Sequence, residues 1–253
     1  MEARAVPKTA TATGEGVEGA LGTYDDYADE YAAYTRQREA AGADSMGMLP
    51  VMLDLLGDLS GLTALDAGCG EGYLARIMAA RGARVTGIDV SPRLIQMARE
   101  NDPHGAIAYH VADLSTSLPG GPGRFDVVGS CFVLDDVPDY RGFIATVAAA
   151  LKPGGRAVLS LNNPYASVVR KRIANYFATD TTYPPGLAAA GIRVRYYYRT
   201  LADYLDAFFR TGLQLTKLVD VDQPAVSARR AAGQPLPPGE QLPHFLVLAF
   251  RQP

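Results

Sequence analysis

The sequence predicts an α/β domain: a mostly parallel sheet of seven strands with helices on both faces. Three observations carry that prediction. From Ala64 onward, short apolar runs alternate with amphipathic segments at strand and helix lengths. Clusters of glycine and proline at 119–123 and 152–155 punctuate the alternation as turns. The first apolar run then breaks into Gly68-Cys69-Gly70-Glu71-Gly72 before an amphipathic stretch with Leu74, Ile77 and Met78 on one side. Repeated strand–helix units imply a parallel sheet covered on both faces. At 253 residues and 48% hydrophobic, the chain is long enough to bury one full core.

Taken in order, two helices precede the sheet, at 24–41 and 46–59, the second interrupted early by Pro50. Strands are expected at 64–66, 84–89, 107–111, 125–130 and 156–161, with helices at 71–81, 92–101 and 140–151. A helix at 200–210 and strands at 213–220 and 244–251 complete the seven-stranded sheet. Residues 1–22, rich in Ala, Thr, Gly and Glu, read as a flexible tail. The remainder, 23–253, reads as one domain, with 23–60 as a helical lid and 163–200 as an insertion after the fifth strand.

Strand, glycine turn and helix together make a site for a nucleotide-type cofactor, because the glycines admit a tight bend and the helix start presents free N–H groups. A dinucleotide fingerprint would need a third glycine where Tyr73 stands. Asp66, two residues before the first glycine, would repel a pyrophosphate but suits an ammonium or sulfonium group. S-adenosylmethionine has both positive groups and no phosphate. Asp89 ends the next strand, where an acid accepts hydrogen bonds from a ribose diol. Each acid also has a purely structural reading, Asp66 as a loop cap and Asp89 as a cap for the helix that begins Ser91-Pro92. Their order around the glycine turn favours the cofactor.

LDAGCGEG (from Leu65), GIDVS with Asp89, VADLST with Asp113, FDVVGSCFVLDDVPD and LKPGGRAVLS follow one another between Leu62 and Leu161. As an ordered set they resemble the motifs of class I S-adenosylmethionine-dependent methyltransferases, which implies a Rossmann-like sheet whose last strand runs antiparallel. The resemblance implies cofactor contacts from Asp66, Ala67, Gly68, Cys69, Gly70 and Gly72 at the turn, and from Asp89 and Val90 at the second strand end. It adds Ala112, Asp113 and Leu114, with Asp113 at the adenine amino group, and Cys131 after the fourth strand. N-terminal helices of related enzymes place a tyrosine or arginine near the methionine end, which makes Tyr27, Tyr34 and Arg38 candidates here.

Bulk properties narrow the partners. A net charge of −3 and a pI near 5.6 argue against a general affinity for nucleic acid or anionic membranes. No apolar run is long enough to span a bilayer, and Arg4 and Lys8 have no apolar stretch behind them to form a signal peptide. Two cysteines, Cys69 and Cys131, make no disulfide framework, so a reducing, cytoplasmic setting is expected. No spacing of His, Cys or carboxylate suggests a metal site. Monomer and homodimer both stay open.

Outside the shared motifs, Tyr24, Tyr27, Tyr31 and Tyr34 form one helical stripe, either packed on the domain or closing over the cofactor. The insertion carries Arg170, Lys171, Arg172, Arg193, Arg195 and Arg199 against only Asp180, interleaved with aromatics. It reads as a solvated basic face over an aromatic seam, or as a cap receiving a substrate through Tyr165, Arg170, Tyr176 and Tyr197. Residues 221–243, with five prolines, read as a long ordered loop. For a proton acceptor the candidates are Asp135 and Asp136 after the fourth strand, one of which is expected only to cap the next helix, and His244 at the start of the last strand. The expected activity is methyl transfer to an O, N or C atom of a small organic molecule. An Ala-, Gly-, Arg- and Pro-rich composition is in keeping with tailoring of a secondary metabolite such as an antibiotic. An RNA or protein methyltransferase, or a cofactor-binding protein without transferase activity, are the rivals.

Overall fold

A computed structural model describes residues 23–40, 46–170, 175–177, 181–182 and 185–253. The expected tail at 1–22 lies outside them. Two helices, α1 (Ala28–Ala40) and α2 (Met48–Leu56), lead into β1 (Thr63–Ala67), α3 (Tyr73–Ala80), β2 (Arg84–Asp89), α4 (Pro92–Glu100) and β3 (Ala108–Val111). The second half continues with β4 (Phe125–Cys131), α5 (Tyr140–Ala150), β5 (Leu151–Asn162) and α6 (Pro164–Val169). Short elements β6 (Thr181–Thr182), α7 (Pro185–Ala189) and β7 (Tyr196–Tyr197) precede α8 (Leu201–Arg210), β8 (Gln214–Val221), α9 (Pro224–Ala231) and β9 (Phe245–Arg251).

The main sheet has the order β3-β2-β1-β4-β5-β9-β8. Pairing is parallel from β3 through β5, and β9 runs antiparallel to both β5 and β8. Strand order reverses between β1 and β4, so a crevice opens outside their carboxyl ends, where open α/β sheets bind ligands. Period-two alternation divides the core between the two faces. Leu65, Val128 and Leu248 join Phe143, Ile144 and Phe208 on one side. Their neighbours Ala64, Val127 and Val247 join Met52, Leu56 and Met78 on the other. Phe208 of α8 stacks on Phe250 of β9 with centroids 4.1 Å apart, fixing that helix on the sheet.

Several boundaries differ from the sequence reading for local reasons. α1 begins at Ala28, four residues late, because Thr23 closes a turn by donating from its N–H and hydroxyl to Asp26 Oδ2 at 2.7 and 2.9 Å. Pro50 leaves α2 intact because it falls in the first turn, where its missing N–H has no helical partner to lose. Residues 152–155 do not precede the fifth strand but bulge inside it: Phe125 pairs with Leu151 and Val127 with Arg156. Residues 221–243 are not one loop. Pro224 sits at the first turn of α9, a position suited to its fixed φ, and Pro238–Glu240 makes a 3₁₀ turn. The insertion opens with α6 over Pro164–Val169, and residues 171–174 lie outside the description. Among the described residues no helix is long and apolar enough to cross a membrane.

The N-terminal segment is pinned over the crevice. Asp25 Oδ1 accepts from Ser91 Oγ at 2.6 Å and from Arg93 N at 2.8 Å, and Asp29 pairs with Arg93 at 2.9 Å. Ser91 also caps α4, so one residue ties helix start and lid together. From outside, Leu187, Ile192 and Val194 of the insertion pack on Tyr24, Tyr27, Tyr31 and Tyr34.

Candidate active site

A cavity of about 370 Å³ lies at the reversal point, over the ends of β1, β2 and β4 and under Tyr24, Tyr31 and Thr35. Its floor is the glycine turn. Gly68 N and Cys69 N both donate to Ile88 O, at 2.8 and 3.0 Å, binding the turn to β2. Gly70 N donates to Asp89 Oδ2 at 2.9 Å. Two glycines are sterically required. Gly68 has φ 75°, and a Cβ there would lie 2.4 Å from a Val133 methyl. Gly72 has φ 87°, and its Cβ would meet the Tyr109 hydroxyl at 2.4 Å.

The polar lining is acidic. Asp66, only 1% exposed, has no hydrogen-bond partner on either carboxyl oxygen. Burial pushes its carboxyl up to about 8; the Ala75 amide offsets part of this, and Asp89 and Glu71 add to it. Asp89 is half-buried, and its oxygens each accept one backbone bond, from Gly70 N and from Ser91 N at 2.9 Å. Burial still holds it above its ordinary value. Asp113 is exposed and takes Ser115 N and Oγ on Oδ1 at 2.8 and 2.6 Å. Glu71 is neutralised by Arg76 at 3.0 Å. Asp136 accepts from Tyr24 Oη on Oδ2 at 3.0 Å, while its buried Oδ1 has no partner. Burial and then the neighbouring Asp135 hold Asp136 well above the usual carboxylate range.

The cavity brings together Asp66, Gly68, Cys69, Gly70, Asp89 and Val90, and on its far wall Ala112, Asp113, Leu114, Cys131 and Asp136. Ala67 and Gly72 shape the turn without lining the space. Of the tyrosine stripe, Tyr24 and Tyr31 face the cavity, whereas Tyr27 and Tyr34 face the insertion. Arg38 lies on α1 with its side chain outside the description.

The other candidates sit elsewhere. Asp135 is 4% exposed and fully occupied: Tyr204 Oη donates to Oδ1 at 2.8 Å, and Asn162 N and Nδ2 donate to Oδ2 at 3.1 and 3.0 Å. It joins β4, β5 and α8 and does not line the cavity. The α5 cap is neither of this pair but Asp139, which accepts from Gly142 N. His244 faces Asp222, which also holds Arg230, and is absent from the lining. Tyr165 stacks on Tyr176 at 4.5 Å, and the Tyr176 hydroxyl accepts from Leu201 N. Arg170 donates to Leu242 O, and Tyr197 N donates to Asp135 O. These four insertion residues are outside the cavity lining.

Sequence reasoning missed Met46, Met48 and Leu49, which form an apolar wall, and Phe132, which follows β4. Phe132 is a non-glycine residue at φ 57°, a conformation that costs energy and is held by Phe132 N donating to Ser160 Oγ at 3.1 Å. No motif signalled it. The four tyrosines were visible, but which two turn inward depends on where α1 starts.

Residues 65–159 match the family described as "Methyltransferase domain". A ubiquinone biosynthesis O-methyltransferase from Xanthomonas euvesicatoria pv. vesicatoria is 38% identical over 119 residues, 45% of this chain and 50% of that protein. A second, from Xylella fastidiosa, is 38% identical over 119 residues, 45% of this chain and 48% of that protein. The chain spans about half the length of the curated relatives it matches. Among solved structures, an S-adenosylmethionine-dependent methyltransferase from Mesorhizobium loti has a TM-score of 0.64 and 27% identity, covering 80% of this chain and 96% of that one. Geranyl diphosphate C-methyltransferase from Streptomyces coelicolor A3(2) shares the fold, with a TM-score of 0.61 and 19% identity over 90% of this chain and 84% of that one. Residues 65–159 thus resemble a methyltransferase domain, in a chain whose fold is that of a solved S-adenosylmethionine-dependent methyltransferase.

Proposed function

We propose that this chain transfers a methyl group from S-adenosylmethionine to an O, N or C atom of a small organic molecule. One observation carries the reading: Asp66, buried beside the glycine turn, has two unpartnered oxygens facing a cavity. A buried acid without a partner is costly, and an ammonium group would satisfy it. Asp89, whose oxygens accept from Gly70 N and Ser91 N, has acceptor capacity left for a ribose diol, since two carboxylate oxygens offer about four lone-pair sites. Val90, Ala112 and Leu114 offer apolar contact to an adenine ring, with Asp113 beside them for its amino group. The methyl donor supplies an electrophilic carbon on sulfur, which any nucleophile held in line can take. The chain's own task is alignment and the exclusion of water, for which Tyr24 and Tyr31 roof the space.

The relatives' names support a small acceptor, since they specify ubiquinone biosynthesis and geranyl diphosphate. None of the described lining residues is Lys, Arg or His, which argues against a nucleic acid entering here. We further place the protein in the cytoplasm, in keeping with two free cysteines, and in the tailoring of a secondary metabolite such as an antibiotic. Residues 23–60 serve as its lid and 163–200 as a cap insertion, whose Leu187, Ile192 and Val194 pack on that lid, within one domain. The test is calorimetric titration with S-adenosylhomocysteine, the spent donor. Asp89→Ala should weaken binding by about 1–3 kcal/mol, roughly 5- to 150-fold, through loss of a buried acceptor. Unchanged affinity would falsify the ribose assignment, and tight NAD binding in its place would remove the whole reading.

A further inference from the structure

The cavity holds a second unsatisfied acid that the donor reading leaves over. Once Asp66, Asp89 and Asp113 are assigned to the donor, Asp136 Oδ1 still has no partner. It lies on the same cavity, next to the apolar wall of Met46, Met48, Leu49, Phe132 and Val133. We propose that Asp136 is the acceptor-binding residue: it takes the proton of a hydroxyl on an uncharged, largely apolar acceptor that bears no phosphate or carboxylate. The proposal rests on the methyltransferase reading of this cavity.

Three features support it. First, the direction of Asp136 is fixed. Its N–H donates to Val133 O at 2.9 Å, closing the turn after β4, and Tyr24 Oη holds Oδ2 at 3.0 Å. Oδ1 is therefore the free end, and in the ionised carboxylate it needs an O–H or N–H donor. A methyl acceptor that presents only carbon leaves it unpaired, at a cost of about 1–3 kcal/mol. A protonated amine would satisfy it but has no lone pair to attack with; a hydroxyl is neutral across the working pH range and supplies both proton and lone pair, and only the hydroxyl needs a base to take its proton before attack.

Second, nothing in the described lining compensates an anion. Two arginines of the insertion, Arg199 and Arg170, are engaged with backbone carbonyls. Arg199 donates to Leu134 O, Val137 O and Pro138 O at 2.8, 2.6 and 2.9 Å, which holds the loop from behind. Arg170 donates to Leu242 O at 3.2 Å. A phosphate or carboxylate would then face Asp66, Asp89, Asp113 and Asp136 without a cationic lining residue.

Third, the surroundings make Asp136 a better proton acceptor than an ordinary carboxylate. Burial and Asp135 raise Asp136, Asp89 acts in the same direction, and the Tyr24 hydroxyl and Arg199 oppose them. Tyr31 also faces it, and burial raises that phenol far above its ordinary value, so it stays neutral. In the reaction, the acceptor's O–H proton passes to Asp136 Oδ1 and an oxygen electron pair forms the new C–O bond. The donor's S–C bond breaks with its electrons kept on sulfur, which leaves as a neutral thioether. The proton returns to water as products depart.

The test uses the full chain and isosteric fluorescent probes: 2-naphthol, 2-naphthylamine, 2-naphthoate, and 2-naphthyl phosphate with and without Mg²⁺. Binding is measured to protein loaded with S-adenosylhomocysteine, and methyl transfer by mass spectrometry with S-adenosylmethionine. 2-Naphthol should bind at least about tenfold more tightly than either anion, and should yield its methyl ether. Asp136→Asn should lower that turnover by about 100-fold or more and abolish the acidic limb of its pH profile, with S-adenosylhomocysteine affinity within about twofold of the parent. If that variant does not fold, Tyr24→Phe serves: losing the hydroxyl that stabilises the carboxylate moves the acidic limb to higher pH. Anions binding as well as naphthol, with or without Mg²⁺, overturn the charge selection. Faster methylation of the amine, naphthol bound without ether formation, or no probe bound by donor-competent protein overturns the hydroxyl assignment. An unchanged pH profile in both variants removes Asp136 from the proton path. Failure of the parent protein to bind S-adenosylhomocysteine sinks the methyltransferase reading instead.

Discussion

Asp66 makes the donor site testable through protons alone, without an acceptor in hand. Its carboxyl is pushed from 3.8 up to about 8 by burial, so below that pH the ligand-free protein carries it mostly neutral. The ligand's ammonium group favours the ionised form, and binding must therefore expel the proton. Two units below its pKa, at pH 6, about 1% of the protein is ionised; at pH 8 about half is. Affinity for S-adenosylhomocysteine should thus rise about fiftyfold between those pH values, or roughly 2.3 kcal/mol. Calorimetry in two buffers of contrasting ionisation heat should register about one proton released per ligand at pH 6.5, falling toward half at pH 8. Asp89 and Asp136 are also raised, so the parent protein alone does not isolate the source. Asp66→Asn does: it should flatten the pH dependence by the amount assigned and weaken binding most at pH 8. Parent affinity that is level from pH 6 to 8, with heats independent of buffer, refutes the reasoning.

The same shift has a consequence for folding, with the sign fixed by its direction. Because the folded-state value is raised, the neutral carboxyl is favoured by the fold, and that advantage is complete below the unfolded value near 4. It is lost progressively as pH rises toward 8. About four units at 1.36 kcal/mol each sets an upper bound of roughly 5–6 kcal/mol, which relaxation and water entry reduce. Ligand-free Asp66→Asn should accordingly lose less stability than the parent between pH 5 and 8 in denaturant titrations.

Two further variants separate scaffold from site. Gly68→Ala forces a Cβ to within 2.4 Å of Val133 at a positive φ, and should lower stability by about 1–3 kcal/mol in thermal melts while weakening S-adenosylhomocysteine binding. Adding Val133→Ala should return part of the stability but not the φ cost. Asp135→Asn can keep its oxygen on the two Asn162 donors, but its amide then faces the Tyr204 hydroxyl, which loses its acceptor. Denaturant titration should show a loss of about 1–3 kcal/mol, with S-adenosylhomocysteine affinity within about twofold. Preserved stability together with abolished turnover would show that Asp135, and not its neighbour, meets the acceptor.

The contrast between these two adjacent acids explains what a sequence can and cannot reveal here. The glycine turn, Asp66 and Asp89 were legible because their geometry is local: a strand end, a bend requiring left-handed φ, and the next strand end set by parallel register. The inward-facing member of the pair at 135–136 was not legible, because Phe132 at φ 57° and the turn from Val133 to Asp136 reset the alternation of β4. Asp135 then points to Asn162 and Tyr204, residues 27 and 69 positions away in sequence. The same dependence on distant partners governs the arginines. Their excess in the insertion was visible, yet nothing local says that Arg199 ends on three backbone carbonyls. His244 failed for a topological reason. Antiparallel β9 does begin at the carboxyl edge, paired beside Asn162, but it lies two strands from β4, about 10 Å along the sheet. Asp222 meets it there instead. Chemistry encoded in one turn can be read from one segment. Chemistry that depends on which neighbour a side chain finds, as with Tyr24 reaching Asp136 across 112 positions, needs the fold.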